Sequence, residues 1–464
     1  MWFHYEGETI DRPRRMEAMR RLLEEATSRI GASGKKALLL PPDITRFHSG
    51  AGELTNILYH LLGTDCETNV IPTLGQHVPH TPEQNTMMFG DIPNERIFAH
   101  DWRAKVERIG EIPKDYVRFV SDDAVDWPIP VEINRNVLDD SYDLIVNIGQ
   151  VVPHEVLGFA NHNKNYFIGL AGKGMITASH MMAATCGIEN NLGQFITPLR
   201  ACFNKAERET LGGVPHVYVL VVCTRNAEGE LEQTGLYVGE DLETYLAAAR
   251  YARAHTITML DEPLKKVVAV MDPDEFHSTW VSNKAIYRTR MAMADGGELV
   301  IIAPGVERFG EQKEVDDLIR KYGYKGTPNT VKHWKAEADL QDLGHGAAHL
   351  IHGSSEGRFT ITYAPGHLTK EEVEGVGYNY MDLDDALRTY TPDKLTDGMN
   401  TVNGEEVFFI SSPSLGLWTA RPNYAQAVRN NLLFSKRMTE KEPENGEWPE
   451  LVAWNQADLE AFSS

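Results

Sequence analysis

The sequence predicts an α/β protein of two domains, each on a mainly parallel sheet, with the active site in the cleft between them. Three observations carry this. Short apolar runs of strand length recur, at residues 36–40, 68–73, 143–149 and 216–223, each closed by a polar, proline-bearing or glycine-bearing turn. Helical stretches with an apolar face separate them, which is the alternation of a parallel sheet. The alternation starts afresh after Glu262-Pro263, so the domains are expected at 1–262 and 263–464. Open α/β sheets bind ligands at the carboxyl ends of their strands, and two domains meeting at one site are expected to close over it.

Residues 14–30 read as an amphipathic helix with Met16, Met19, Leu22, Leu23 and Ala26 on one side. The strand at 36–40 runs into Pro41-Pro42-Asp43, and Ser49 is placed to cap a helix at 53–62. The strand at 68–73 ends at Gly75-Gln76-His77-Val78-Pro79-His80, and further strands are expected at 97–101 and 143–149. Residues 242–255 read as a helix. In the second domain a strand at 266–271 is followed by a helix at 280–293 carrying Lys284, Arg288 and Arg290. That helix is expected to stop at Asp295-Gly296-Gly297 before a strand at 298–303. A helix at 315–322 and strands near 359–363 and 407–410 continue the domain. The last forty or so residues have a weak pattern, and are expected to pack back on the first domain.

Composition limits the function classes. The net charge of −22 disfavours nucleic acid and anionic membrane as partners, although a local basic cluster can still hold an anionic small molecule. Four scattered cysteines without a CxxC pair make neither a disulfide framework nor a thiolate zinc site. Reduced thiols and a start without an apolar signal core give a cytoplasmic expectation. No run approaches a membrane span. The oligomeric state is left open.

Three strand ends carry chemistry: Asp43, Arg46 and His48 after the first; His77 and His80 after the second; His154, His162, Lys164 and His180 in the stretch 151–180 after the strand at 143–149. Each residue alone reads as easily as a turn, cap or surface group; their gathering at the strand ends of one sheet is what points to a site. Residues 169–174 resemble a phosphate loop but lack its spacing and its Ser/Thr, leaving only glycines that could admit a phosphate to backbone N–H groups. A proline between His77 and His80 rules out a helical zinc motif of the HExxH kind. No Gly-x-Ser-x-Gly elbow stands near a convincing triad. What remains is rich in imidazole and cations and poor in carboxylates. Imidazole suits zinc, copper, iron or nickel, and also proton transfer near neutrality, while arginine and lysine suit a carboxylate.

These residues carry a resemblance to the lactate racemase family, whose members use a nickel-pincer nucleotide. Asp43-Ile44-Thr45-Arg46 resembles its D-x-x-R element and Gly75-Gln76-His77-Val78-Pro79 its G-x-H-x-P element. Pro153-His154, Gly158-Phe159, Lys164 and His180 match its central motif in order and spacing, and Lys284 resembles its second-domain lysine. The resemblance implies a pyridinium-derived cofactor joined through a thioamide to Lys164, with His180 as the protein ligand to nickel. It implies His77 and His154 as the acid/base pair and Arg46 and Lys284 on the substrate carboxylate. Asp43, grouped with the cofactor-binding residues, would orient one of those cations. His48 and Trp280 are added as substrate neighbours.

The chain departs from the family at Asn161-His162-Asn163, where members often carry Ser-Gly-Gly, and around Trp280, Val281, Ser282 and Asn283, where a glutamine is usual. Polar residues in the motif loops (His48, His80, Asn161, His162, Asn163) would be costly if buried without partners. This leans the expected reaction to C2 epimerisation of an aldonate such as gluconate, with a lactate-like or malate-like acid as the alternative. The expected partners are that small molecule and the machinery that makes the cofactor. Two other classes stay open: a zinc hydrolase or lyase using His77, His154 and His180, and a binding protein that has kept the fold without catalysis.

Overall fold

The computed structural model describes residues 1–226, 229–414 and 416–463. It divides into two compact units, one of residues 1–179 and 195–256, the other of residues 180–194 and 257–464. The sequence places a single boundary at 262/263; the contacts place the crossing at 256/257 and give 180–194 to the second unit as well.

The first unit is built on six strands: β1 Phe3–Glu6, β2 Lys36–Leu40, β3 Glu67–Val70, β4 Leu144–Gln150, β5 His216–Arg225 and β6 Leu231–Gly239. Their order is β1-β6-β5-β4-β2-β3. The pairs β5–β4, β4–β2 and β2–β3 are parallel; β1–β6 and β6–β5 form an antiparallel edge. Every residue of β4 is buried, as its unbroken apolar run requires of a central parallel strand. Helices α1 (Arg12–Ile30) and α2 (Ala51–Leu62) cover one face. Leu22, Leu54 and Leu58 meet Leu39, Val146 and Val219 there, all fully buried. Asp11 caps α1, accepting from Arg14 N at 3.0 Å, and Gly31 ends it in the left-handed region.

Residues 97–101 are not a strand. Ile97 makes one parallel bridge to Val70, after which His100 turns inward. Asn134 donates to its Nδ1 at 3.0 Å, and its Nε2 bonds the Ala171 carbonyl at 3.1 Å. Burial pushes His100 down to about 4, so it is a neutral structural imidazole.

In the second unit the strands are β7 Leu264–Val270, β8 Met293–Ala303, β9 Thr360–Pro365, β10 Asn379–Tyr380, β11 Gly398–Val402 and β12 Glu405–Ile410. Their order is β10-β9-β8-β7-β12-β11, parallel except for the final hairpin. The helix expected at 280–293 is two short ones, Thr279–Ser282 and Lys284–Thr289, broken at Asn283. Asp295-Gly296-Gly297 does not end a helix but lies inside β8. The weakly patterned C-terminal residues form helices Arg421–Lys441 and Glu447–Ser463, with Phe434 edge-on to Trp448 at 5.9 Å. Residues 180–194 are tied to this unit by Glu189, which takes the buried Arg290 Nε at 2.8 Å. Tyr424 also donates to Gly193 O at 2.9 Å.

Candidate functional site

In the first unit the loops after β2, β3 and β4 converge, and the contacts between them follow from their sequences. Pro41-Pro42 ends β2 and delivers Asp43 as the cap of a 3-10 turn, Ile44–Ser49. Its Oδ1 accepts from Thr45 N at 3.1 Å. Its Oδ2 accepts from His77 Nδ1 in the loop after β3. That loop is tied in turn to the third: Gly75 N donates to Gly169 O at 2.8 Å. Gly75 holds a φ of +58° and Gly169 leaves no room for a Cβ, which would fall 2.6 Å from Thr73.

The Asp43–His77 pair fixes a tautomer. Asp43 is buried, which by itself raises its carboxyl; His77 and Thr45 outweigh that and hold it at about 2. An ionised carboxylate only accepts, so His77 Nδ1 carries the proton and Nε2 keeps its lone pair. The His77 side chain is 63% exposed, so that lone pair is open to a ligand. His154 is set the other way. It stands in a two-residue ribbon, Pro153–His154 with Gly158–Phe159, and its Nδ1 accepts from Val156 N at 3.1 Å. Its neutral form therefore carries the proton at Nε2. One imidazole is a ready base and the other a ready donor.

Arg46 lies in the turn after Asp43. Burial lowers its guanidinium, and the carboxylates of Asp43 and Glu155 offset only part of that. Lys164 is half-buried at the head of the π-helical turn Asn165–Gly169. Burial first, and Arg46 second, push its amine down to about 8, with Glu155 and Asp43 opposing. About a tenth of it is then neutral at pH 7, far more than for an ordinary lysine, which favours its action as a nucleophile. Asp43, Arg46, His77, Glu155 and Lys164 thus act on one another electrostatically within one unit.

Other polar residues of these loops turn out to be structural. His80 Nε2 accepts from Ile44 N at 2.8 Å, and its Nδ1 bonds Asn85 Oδ1 at 3.1 Å, so it staples two loops together. His48 Nε2 bonds Gln150 Oε1 at 3.2 Å. Asn163 is fully buried among Asn204, Glu207 and Arg200. Asn161 accepts from Asn165 Nδ2 at 3.1 Å and packs on Gly149, where a Cβ would lie 1.8 Å from its amide. His162 is buried with its ring stacked on Tyr218 at 3.9 Å. The expectation that these side chains await hydroxyl groups of a ligand is corrected for His80, Asn161 and Asn163, whose polar atoms bond within the protein, while His48 stays half-buried with its bond to Gln150 and His162 is held by ring packing. Asp43 accepts from His77 and Thr45, and its carboxylate also acts on the nearby Arg46 guanidinium.

The glycines of 169–174 do not cradle a phosphate. Helix α3, Lys173–Thr185, begins there, and Glu132 Oε2 accepts from Gly174 N at 2.9 Å and Met175 N at 3.2 Å. A Cβ at Gly172 would lie 2.3 Å from the same oxygen. The protein's own carboxylate fills the anion position of that helix start. Neither Glu132 nor Arg200 is foreseeable from the motif loops; both act from elements whose own sequences look like ordinary strand and helix.

His180 stands two turns into α3, half-buried, and belongs to the second unit. In that unit Asn283, at the helix break, places Lys284. Asn283 donates to Tyr378 Oη at 3.0 Å and accepts from Tyr363 Oη at 2.9 Å. His349 bonds Tyr287 Oη at 2.6 Å and Tyr324 Oη at 3.0 Å, and Trp280 lies against its ring at 4.3 Å. Lys284 Nζ is 5.4 Å from the centre of the Phe276 ring. Among the described residues no three His, Cys, Asp or Glu side chains are gathered as a ligand set for a metal ion.

Residues 15–191 match the family model described as the lactate racemase N-terminal domain. The whole chain is similar in fold to a Thermotoga maritima protein of known crystal structure. The TM-score is 0.74 at 23% identity, over 89% of this chain and 99% of that one. It is also similar to the lactate racemase apoprotein from Thermoanaerobacterium thermosaccharolyticum, with a TM-score of 0.61 at 16% identity, over 87% and 92%. No curated protein matches the chain. Domain and fold together support an isomerase of the racemase or epimerase type. No helix is long and apolar enough to cross a membrane.

Proposed function

We propose that the chain is a racemase or epimerase of 2-hydroxy acids, working with a nickel-pincer nucleotide tethered at Lys164. The observation that carries this reading is the Asp43–His77 pair set beside a lysine amine held near 8. A covalent tether needs an amine that is neutral part of the time, and the Lys164 surroundings fit that need. When bound, the cofactor would accept a hydride from C2 of the substrate and return it to the opposite face.

The chain's own residues would do the rest. His77 Nε2 takes the substrate's hydroxyl proton, and the ionised Asp43 stabilises the imidazolium that forms. His154 donates from Nε2 to a substrate oxygen and polarises it. On the return stroke to the other enantiomer it acts as an acid only after Nδ1 has taken a proton, which breaks its bond from Val156. Arg46 pairs with the carboxylate, with Lys284 as a second cation and His48 and Trp280 as further substrate neighbours. His180 would be the protein's ligand to nickel. A cofactor-building system would be the partner that loads the protein.

The substrate is a 2-hydroxy acid. An aldonate such as gluconate is the longer candidate and lactate the shorter, and a panel of single enantiomers ranks them. The decisive assay uses a substrate deuterated at C2, in ordinary water, with the loaded enzyme. Retention of deuterium at C2 in the inverted product supports hydride transfer. Loss of the label to solvent means direct proton abstraction at carbon and contradicts the proposal.

A further inference from the structure

Two consecutive non-glycine residues before Lys164 hold left-handed backbone, Asn161 at φ +68° and His162 at φ +59°. Such conformations are strained for residues with a Cβ and persist only where the surroundings over-determine them. The surroundings here come from helix α4, Pro198–Thr210, whose first turn is capped by Thr197. Arg200 is fully buried and spreads its guanidinium over the loop. It donates to Phe159 O at 2.6 Å, to Asn161 O at 3.2 Å and to Asn163 Oδ1 at 2.6 Å. About one helical turn further on Asn204 accepts from Asn163 Nδ2 at 2.8 Å, and about two turns on Glu207 accepts from the same amide at 2.9 Å. From the other side Asn147 of β4 donates to His162 O at 3.4 Å and accepts from Asn165 Nδ2 at 2.7 Å. The His162 ring is held between Tyr218 and Tyr245.

We infer that Arg200, Asn163 and Glu207 form a clamp that presets the backbone of residues 159–165, so that Lys164 is presented half-buried before any cofactor arrives. They are positioning residues, acting through the loop and not on the reacting atoms. Tethering joins an amine to a large group within a confined space, and fixing the amine beforehand lowers the ordering cost of that step. The depressed amine of Lys164 agrees with a fixed, enclosed side chain; Arg46 and Arg200 lower it, and Glu155 and Asp43 oppose them. Glu207 is itself held as a carboxylate. Burial pushes it up, and the imidazoles of His162 and His216 with the hydrogen bonds from Tyr218 and Asn163 outweigh burial. The inference deepens the proposed function, since it gives Lys164 a prepared seat.

The test uses the full chain free of cofactor, so its outcome does not depend on the racemase reading. Lys164 acetylation is followed against pH by peptide mass spectrometry, and amide exchange is followed over residues 159–166. Two variants disturb the clamp without changing charge: Asn163→Ala removes its bonds to Arg200 and Glu207, and Arg200→Lys keeps the cation but loses the planar fork. Both are expected to move the apparent amine pKa of Lys164 upward by about half a unit or more. Exchange at 159–166 should accelerate about tenfold while β4 and β5 keep their protection. Glu207→Gln, which keeps an acceptor for Asn163, should lie near the parent in both readouts. If the amine pKa and local exchange stay unchanged in folded Asn163→Ala and Arg200→Lys, and only the melting temperature falls, the clamp is ordinary core packing and the inference is overturned. Should Asn163→Ala not fold, Arg200→Lys and Asn204→Ala give the same readouts.

Discussion

At the scale of residues, hydrogen bonds fix the positions of protons in the candidate site. His77 donates from Nδ1 to a carboxylate held at about 2, so Asp43→Asn should lower kcat about 10²–10⁴-fold with little change in KM, measured on loaded enzyme. The same pair sets an acid limit to stability. A carboxyl whose folded value is depressed contributes above its unfolded value, here 3.8, and loses that contribution as pH falls through about 2. The contribution is about 2 kcal/mol. Denaturant melts of the parent should therefore lose more stability than those of Asp43→Asn between about pH 4 and pH 2. Equal losses would mean that the pair is not formed. Lys164 works in the opposite sense. A buried amine lowered to about 8 from 10.5 costs stability wherever it must be charged. Lys164→Met should stabilise the cofactor-free chain by about 1–3 kcal/mol below pH 8, the gain fading as pH rises toward 10.5. The candidate site residues of the first unit stand out in sequence because their types are chemically loaded and fall at strand ends. Their partners were not: nothing in the spelling of residues 43–77 says whether Asp43 meets Arg46 or His77. The polar loop residues were misread for the same reason. A buried Asn163 looks identical in sequence to a ligand-facing one until Arg200 and Glu207 are folded against it.

At the scale of elements, periodicity located the inner strands β2, β3, β4 and β5 of one sheet and β7, β8, β9 and β12 of the other, because apolar runs bounded by Pro, Gly and Asp leave few alternatives, and it missed the strands β1, β6, β10 and β11 and helices such as α3 and α4. It failed where side chains override propensity. The residues from 280 onward have helical spacing, yet Asn283 turns its amide into a cluster of Tyr363, Tyr378 and His349 and breaks the helix just before Lys284. Residues 97–101 have strand composition, yet His100 is drawn into bonds with Asn134 and Ala171 after one bridge. The glycine run at 169–174 looked open to phosphate, yet Glu132 occupies the start of α3. Glu132→Ala should cost about 1–3 kcal/mol, since two helix N–H groups lose a charged acceptor, and Glu132→Gln about half of that. Chemical denaturation of both variants checks this; an unchanged midpoint would mean that solvent replaces the carboxylate at no cost.

At the scale of the molecule, the mixed α/β architecture was legible from the alternation of elements and the resemblance to lactate racemases from motif order over most of residues 36–310, and the family match falls on 15–191. The excursion of 180–194 into the second unit was not legible. It depends on Glu189 finding Arg290 and on Gly193 finding Tyr424, contacts between residues far apart in sequence. Whether Lys164 tethers a nickel-bearing cofactor, as proposed, is decided by intact and peptide mass spectrometry of the chain made in cells that build the cofactor, with nickel assayed on the same sample. An adduct on Lys164 and about one nickel per chain are expected, both abolished in Lys164→Ala. An unmodified Lys164 without nickel, from cells that load a control enzyme, would contradict the proposal.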